Sequence, residues 1–151
     1  MSSELVQVLA ESKLFSGFSP GQLEEVIAHL QPRAITLKPR DQVYTVGDTA
    51  DRCWLIRSGN LMQRRAGLPS PFLHMIYNKG SVTGIRGLVD PGSKRTVSMI
   101  AEDEVELIEI TQEGIDRLNS DTQILFWRNV SELLMRKLSI CLSRESLDNE
   151  W

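Results

Sequence analysis

Hydrophobic positions along this chain change their period twice. Near the start, Leu5, Val8 and Leu9 have helical spacing, and a better-marked segment then puts Leu23, Val26, Ile27 and Leu30 on one helix face. Ser19 is placed to cap that second helix, Pro20 suits its first position and Gln22 completes a capping box. Phe18 and Leu23 sit where a hydrophobic staple would put them, and Pro32 fits the helix end. From Arg33 to Ile110 the apolar runs become short and often alternate: Ile35 to Leu37, Cys53 to Ile56, Leu61 to Gln63, Phe72 to Tyr77, Thr96 to Ile100 and Val105 to Ile110. Turn signals separate them at Gly47-Asp48, Ser58-Gly59-Asn60, Leu68 to Pro71, Asn78-Lys79-Gly80 and Asp90-Pro91-Gly92.

After Ile110 the helical period returns. Thr111 is placed to cap a short helix carrying Ile115 and Leu118, and Ser120 with Gln123 forms a second capping-box signature. The spacing predicts a long helix over about 121–143, striped by Trp127, Val130, Leu134, Leu138 and Cys141 and widened by Leu133 and Leu142. The polar stretch from Glu145 to Trp151 is expected to fray. The pattern predicts a mainly β domain with flanking helices: a β-roll of jelly-roll type over about 33–110, with C-terminal helices over about 112–143. The middle is too short for alternating βα units, and residues 1–151 read as one domain. A small roll cannot easily bury the whole stripe of the long helix as well as its own core. That excess predicts a homodimer packed helix against helix, the alternative being a helix folded back entirely onto its own roll.

Composition narrows the function class. With 41% hydrophobic and 25% charged residues and a formal net charge of -3, the chain has no bulk attraction to nucleic acid or anionic lipid. Nothing resembles a leader peptide, and no run approaches membrane-spanning length, so a cytoplasmic location is expected. Cys53 and Cys141 lie far apart in apolar runs and read as buried free thiols rather than a disulfide. The two histidines, His29 and His74, lack nearby ligands at metal-binding spacing, which argues against a cupin-type metal enzyme. No nucleophile elbow, P-loop or dinucleotide fingerprint occurs. Glu24-Glu25 reads as a solvated helix edge and Arg64-Arg65 as a turn flank. The chain is not expected to be an enzyme.

Several phrases resemble the cyclic-nucleotide-binding domain of catabolite activators, kinase regulatory subunits and gated channels. They are Leu14-Phe15-Ser16-Gly17-Phe18-Ser19, Lys38-Pro39-Arg40-Asp41, Val43 to Asp51, and Trp54 to Leu61, with Gly47, Gly59, Gly80 and Gly84 in the family's order. The resemblance implies a phosphate-binding cassette over Ser81 to Val89, closed by Lys94-Arg95-Thr96-Val97-Ser98. In it Gly84 would let the backbone approach an anion, Arg95 would neutralise it and Thr96 would donate a hydroxyl. Ile85 stands where the family carries a ribose-binding glutamate, and Arg86 replaces a leucine. Arg95 could otherwise be a strand-end residue pairing Asp90 or Glu102, and Arg86 a solvated one.

The resemblance thus implies a regulatory or sensor module with a degenerate cassette. An aliphatic group cannot accept a bond from a ribose hydroxyl, and that loss costs about 1.5–3 kcal/mol, roughly tenfold to a hundredfold in affinity. Three readings stay open: weak binding of cyclic AMP or cyclic GMP, another anionic phosphate ligand, or an empty pocket on a fold kept as an interaction scaffold for a protein partner. In relatives the helix after the roll moves to cover the base, which here would be the segment from Asp121 to Leu134. No helix-turn-helix follows the long helix, so DNA binding is not expected.

Overall fold

The computed structural model describes residues 2–64 and 75–149. Helix α1 (Ser2–Ala10) leads through a 3-10 turn (Lys13–Phe15) to α2 (Pro20–Leu30). Among the described residues eight strands follow: β1 (Arg33–Leu37), β2 (Gln42–Tyr44), β3 (Arg52–Ser58), β4 (Leu61–Arg64), β5 (Met75–Tyr77), β6 (Val82–Thr83), β7 (Ser98–Ala101) and β8 (Val105–Thr111). A one-turn helix α3 (Arg86–Val89) interrupts them after β6. A second 3-10 turn (Ile115–Arg117) and the long helix α4 (Ser120–Asn149) close the chain. The strands form two antiparallel sheets, ordered β1-β8-β3-β6 and β2-β7-β4-β5. This is the expected jelly roll with flanking helices.

Period-2 alternation explains why β3 and β8 are apolar along most of their length. Trp54 and Ile56 of β3, with Val105 and Leu107 of β8, face the roll interior and meet Tyr44, Leu61, Tyr77, Met99 and Ala101 of the other sheet. Cys53, Leu55, Ile108 and Ile110 point the other way, into a core shared with Leu9, Leu14, Phe15, Val26, Leu30 and Phe126 of the helices. Cys53 is a buried free thiol whose pKa burial pushes up to about 12, so it is protonated and inert at neutral pH. The Cys141 side chain, like His74 and Arg65, lies outside the described residues.

Glu109 is the one carboxylate on the inner run of β8. It accepts from Trp54 Nε1 at 3.1 Å, Arg33 Nη2 at 2.7 Å and Arg52 Nη1 at 3.1 Å, tying β1, β3 and β8 together. Glu109→Ala leaves the buried indole N–H without its acceptor and is expected to cost about 2 kcal/mol. Urea unfolding monitored by tryptophan fluorescence should show the lower midpoint, and an unchanged midpoint would refute a structural role for Glu109.

Local cap predictions split by how local the cap is. Ser19 and Gln22 form the capping box on α2, with Ser19 N to Gln22 Oε1 at 2.9 Å and Gln22 N to Ser19 Oγ at 3.2 Å. Thr111 does not cap a helix: it ends β8, and the short turn instead starts after Gly114 at φ 92°. At the start of α4, Glu25 of α2 takes the Asn119 N–H at 3.1 Å and the Thr122 hydroxyl at 3.4 Å. Gln123 donates to the carbonyl of Leu118 at 2.8 Å rather than closing a box with Ser120. Glu25 is therefore a tertiary helix cap and not a solvated edge. Helix α4 also continues to Asn149, beyond the predicted end near 143.

The stripe of α4 divides along its length. Phe126 and Val130 are buried, Trp127 and Leu133 are partly buried, and Asn129 Nδ2 donates to the carbonyls of Leu14 and Ser16 at 3.0 and 2.9 Å. Beyond them Leu134, Met135 and Leu138 are exposed. Among the described side chains, the expected stripe thus packs on its own domain up to Leu133 and is exposed at Leu134 and Leu138.

Candidate functional site

Between β6 and β7 the chain makes one helical turn and returns. Gly84 has φ +81°, the left-handed region open to glycine, and a Cβ there would stand 2.8 and 2.9 Å from the Trp54 ring and 3.2 Å from Arg95 Nη1. The turn α3 then lies directly on β3. Gly87 permits this, because a Cβ at that position would collide with the backbone N and O of Arg52. The sequence analysis did not single out Gly87. Its signal was a second glycine three residues after Gly84, inside the cassette over Ser81 to Val89.

Arg95 is drawn into this corner and is only 4% exposed. Its Nη1 donates to the Gly84 carbonyl at 3.1 Å and its Nη2 to the Arg52 carbonyl at 2.7 Å. Its guanidinium lies over the Tyr44 ring at 4.4 Å and near the Trp54 ring at 5.4 Å. Tyr44 and Trp54 stack on each other, with centroids 5.4 Å apart, and the Tyr44 hydroxyl meets Thr83 Oγ1 at 3.1 Å. No carboxylate among the described residues forms an ion pair with Arg95; neither Asp90 nor Glu102 is its partner. Burial pulls its pKa down from the ordinary arginine value. A desolvated cation held by two carbonyls and two rings has unspent N–H donors and uncompensated charge.

That corner opens on a cavity of about 380 Å³, within the usual range for small-molecule sites. Gly84, Ile85, Arg86, Arg95 and Thr96 all line it. So do Tyr44 and Gln63 from the roll, and Leu134 and Lys137 from α4. Arg86 and Thr96 are exposed at its rim. Ile85 is only 4% exposed and packs with Leu88 and Val82 in the helical core, so the wall it contributes is aliphatic. Among the described residues no group of three or more His, Cys, Asp or Glu is placed to hold a metal ion.

No family model and no curated protein matches the chain. Solved structures do. The chain is similar to the Thermus thermophilus catabolite activator protein, at TM-score 0.74 and 23% identity over 90% of this chain. It is similar to a cyclic nucleotide-binding domain from Methylobacillus flagellatus, at TM-score 0.67 and 20% identity over 97% of this chain and 80% of that one. The fold is that of a cyclic-nucleotide-binding domain. A third structure with this fold, the regulatory domain of Toxoplasma gondii PKA solved with cAMP, matches at TM-score 0.70 and 17% identity over 87% of this chain. The chain spans 62% of the catabolite activator and half of the kinase regulatory domain. On this cyclic-nucleotide-binding fold, the described helices include none long and apolar enough to cross a membrane.

Proposed function

We propose that the chain is a regulatory module that takes a phosphate-bearing ligand in the cavity between α3 and α4, with ribose recognition weakened by Ile85. The carrying observation is Arg95, buried with no ion pair to a carboxylate among the described residues and lining a cavity of ligand size. Such a cation is costly unless something anionic joins it, and a phosphate beside it would make charge-assisted bonds to its spare N–H groups. Gly84 keeps the chain close, Thr96 and Arg86 supply further donors at the rim, and Leu134 with Lys137 brings α4 over the opening. Cyclic AMP is the first candidate, since the Toxoplasma domain of this fold was solved with it.

Calorimetric titration of cyclic AMP and cyclic GMP into wild type and Ile85→Glu tests the reading. Wild type should bind weakly, and the variant should gain about tenfold to a hundredfold, the worth of one charged hydrogen bond. Submicromolar binding by wild type, or no gain in a folded Ile85→Glu protein, would overturn the weakened-ribose claim.

A second reading, an interaction scaffold, draws on the second half of α4. Met135 is 66% exposed and Leu138 58% exposed, next to Leu134 on the same face. An apolar face of this kind on a helix suits a second copy of the chain packed helix to helix. Sedimentation should give a dimer mass that Leu138→Asp reduces to a monomer. A monomer at high concentration would exclude this arrangement.

A further inference from the structure

A second cavity of about 360 Å³ adjoins the first, and Ile85 and Lys137 line both. Three separate parts of the fold each bring cations to it: Lys13 from the 3-10 turn after α1, Lys79 from the turn between β5 and β6, and Arg136 and Lys137 from α4. Glu11 is the only carboxylate among its described lining residues. Lys13, Lys79 and Arg136 form no ion pair with any described carboxylate. In a chain of formal net charge -3, this gathering runs against the composition. Lys137 stands 5.0 Å over the Tyr77 ring, and Tyr77, Val82, Ile85 and Leu133 give the cavity an apolar side. The lining therefore combines several cations with an apolar wall.

Like charges collected from three elements repel one another. An anion among them reverses the sign of that interaction and ties α4 to the roll. A carboxylate at position 85 would put a negative charge in the wall shared by the two cavities and shield one from the other. Isoleucine leaves that wall neutral.

We infer that the ligand carries two separated phosphate groups, one against Arg95 and the other among Lys13, Lys79, Arg136 and Lys137. This rests on the phosphate site proposed above and names the ligand class for it. Cyclic di-AMP and cyclic AMP are suitable probes, since they share a base and differ in having two phosphates or one. Calorimetry on the full chain should show cyclic di-AMP binding at least about tenfold tighter than cyclic AMP, through added charge-assisted contacts. The double variant Lys79→Ala, Arg136→Ala should erase that preference and leave cyclic AMP unaffected. Arg95→Gln should weaken both ligands. Equal affinities in wild type, or a preference that survives the double variant, would overturn this inference while leaving the phosphate site standing. Binding of either nucleotide that is indifferent to Arg95→Gln would overturn the phosphate site itself, and no binding of either at millimolar concentration would overturn both.

Discussion

Gly87→Ala is expected to lower the unfolding free energy by about 3 kcal/mol, because the added methyl has nowhere to go. The atoms it would strike are the backbone N and O of Arg52, with the carbonyl carbon 3.0 Å away. They belong to β3, which β8 and β6 hold from its two sides, so they cannot yield by a rotamer change. The turn α3 must lift instead, and this takes Leu88 and Ile85 out of the core. It also moves the Gly84 carbonyl relative to the Arg52 carbonyl, the two groups that hold Arg95. Stability and ligand affinity should therefore fall together. Gly47→Ala is the control: its φ is +92°, but nothing lies within 4 Å of the added carbon. The strain there is only that of a left-handed residue, about 1–2 kcal/mol. Urea titration should show both losses as lower midpoints at constant slope. A loss at Gly87 no larger than at Gly47 would mean that the cassette is not pinned to β3.

Arg95→Lys, which keeps the charge, should still abolish most phosphate affinity, by about a hundredfold or more. A guanidinium can donate to the Gly84 and Arg52 carbonyls, sit over Tyr44 and present further N–H groups to the cavity at once. An ammonium is a compact point with three donors on a flexible stem, and satisfying both carbonyls would exhaust its reach. One buried carbonyl would then lose its partner, at a cost of about 1–3 kcal/mol in stability. Titration of wild type and variant with the same nucleotide, alongside thermal unfolding, separates the two losses. A lysine variant that binds as wild type does would show that only charge matters at this corner, and would remove the argument from its fork geometry.

How much of this was legible beforehand depends on the range of the interaction. The Ser19 and Gln22 box spans three residues, and the alternation along β3 and β8 repeats every second residue, so each is written in contiguous sequence. The order of helices, strands and long helix followed from such local periods. The five residues of the resembling cassette do line one cavity, because Gly84 to Arg86 and Arg95 to Thr96 flank a single turn and a short return loop. The reading of Thr111 as a cap failed because strand pairing with Arg52 claimed that residue first.

What required the tertiary structure is every contact between distant segments. Glu25 caps α4 across 94 residues, Asn129 reaches the carbonyl of Leu14 across 115, and no period in the chain signals either. Phe126 anchors α4 although it lies off the stripe read from the sequence, because the shape of the core decides which helix face is covered. The lack of an ion pair between Arg95 and any described carboxylate, and the gathering of Lys13, Lys79, Arg136 and Lys137, are likewise properties of position in space. Local propensity and hydrophobic period act along the chain and so set the elements. Charge compensation and close packing act through space, and only the assembled fold could decide them.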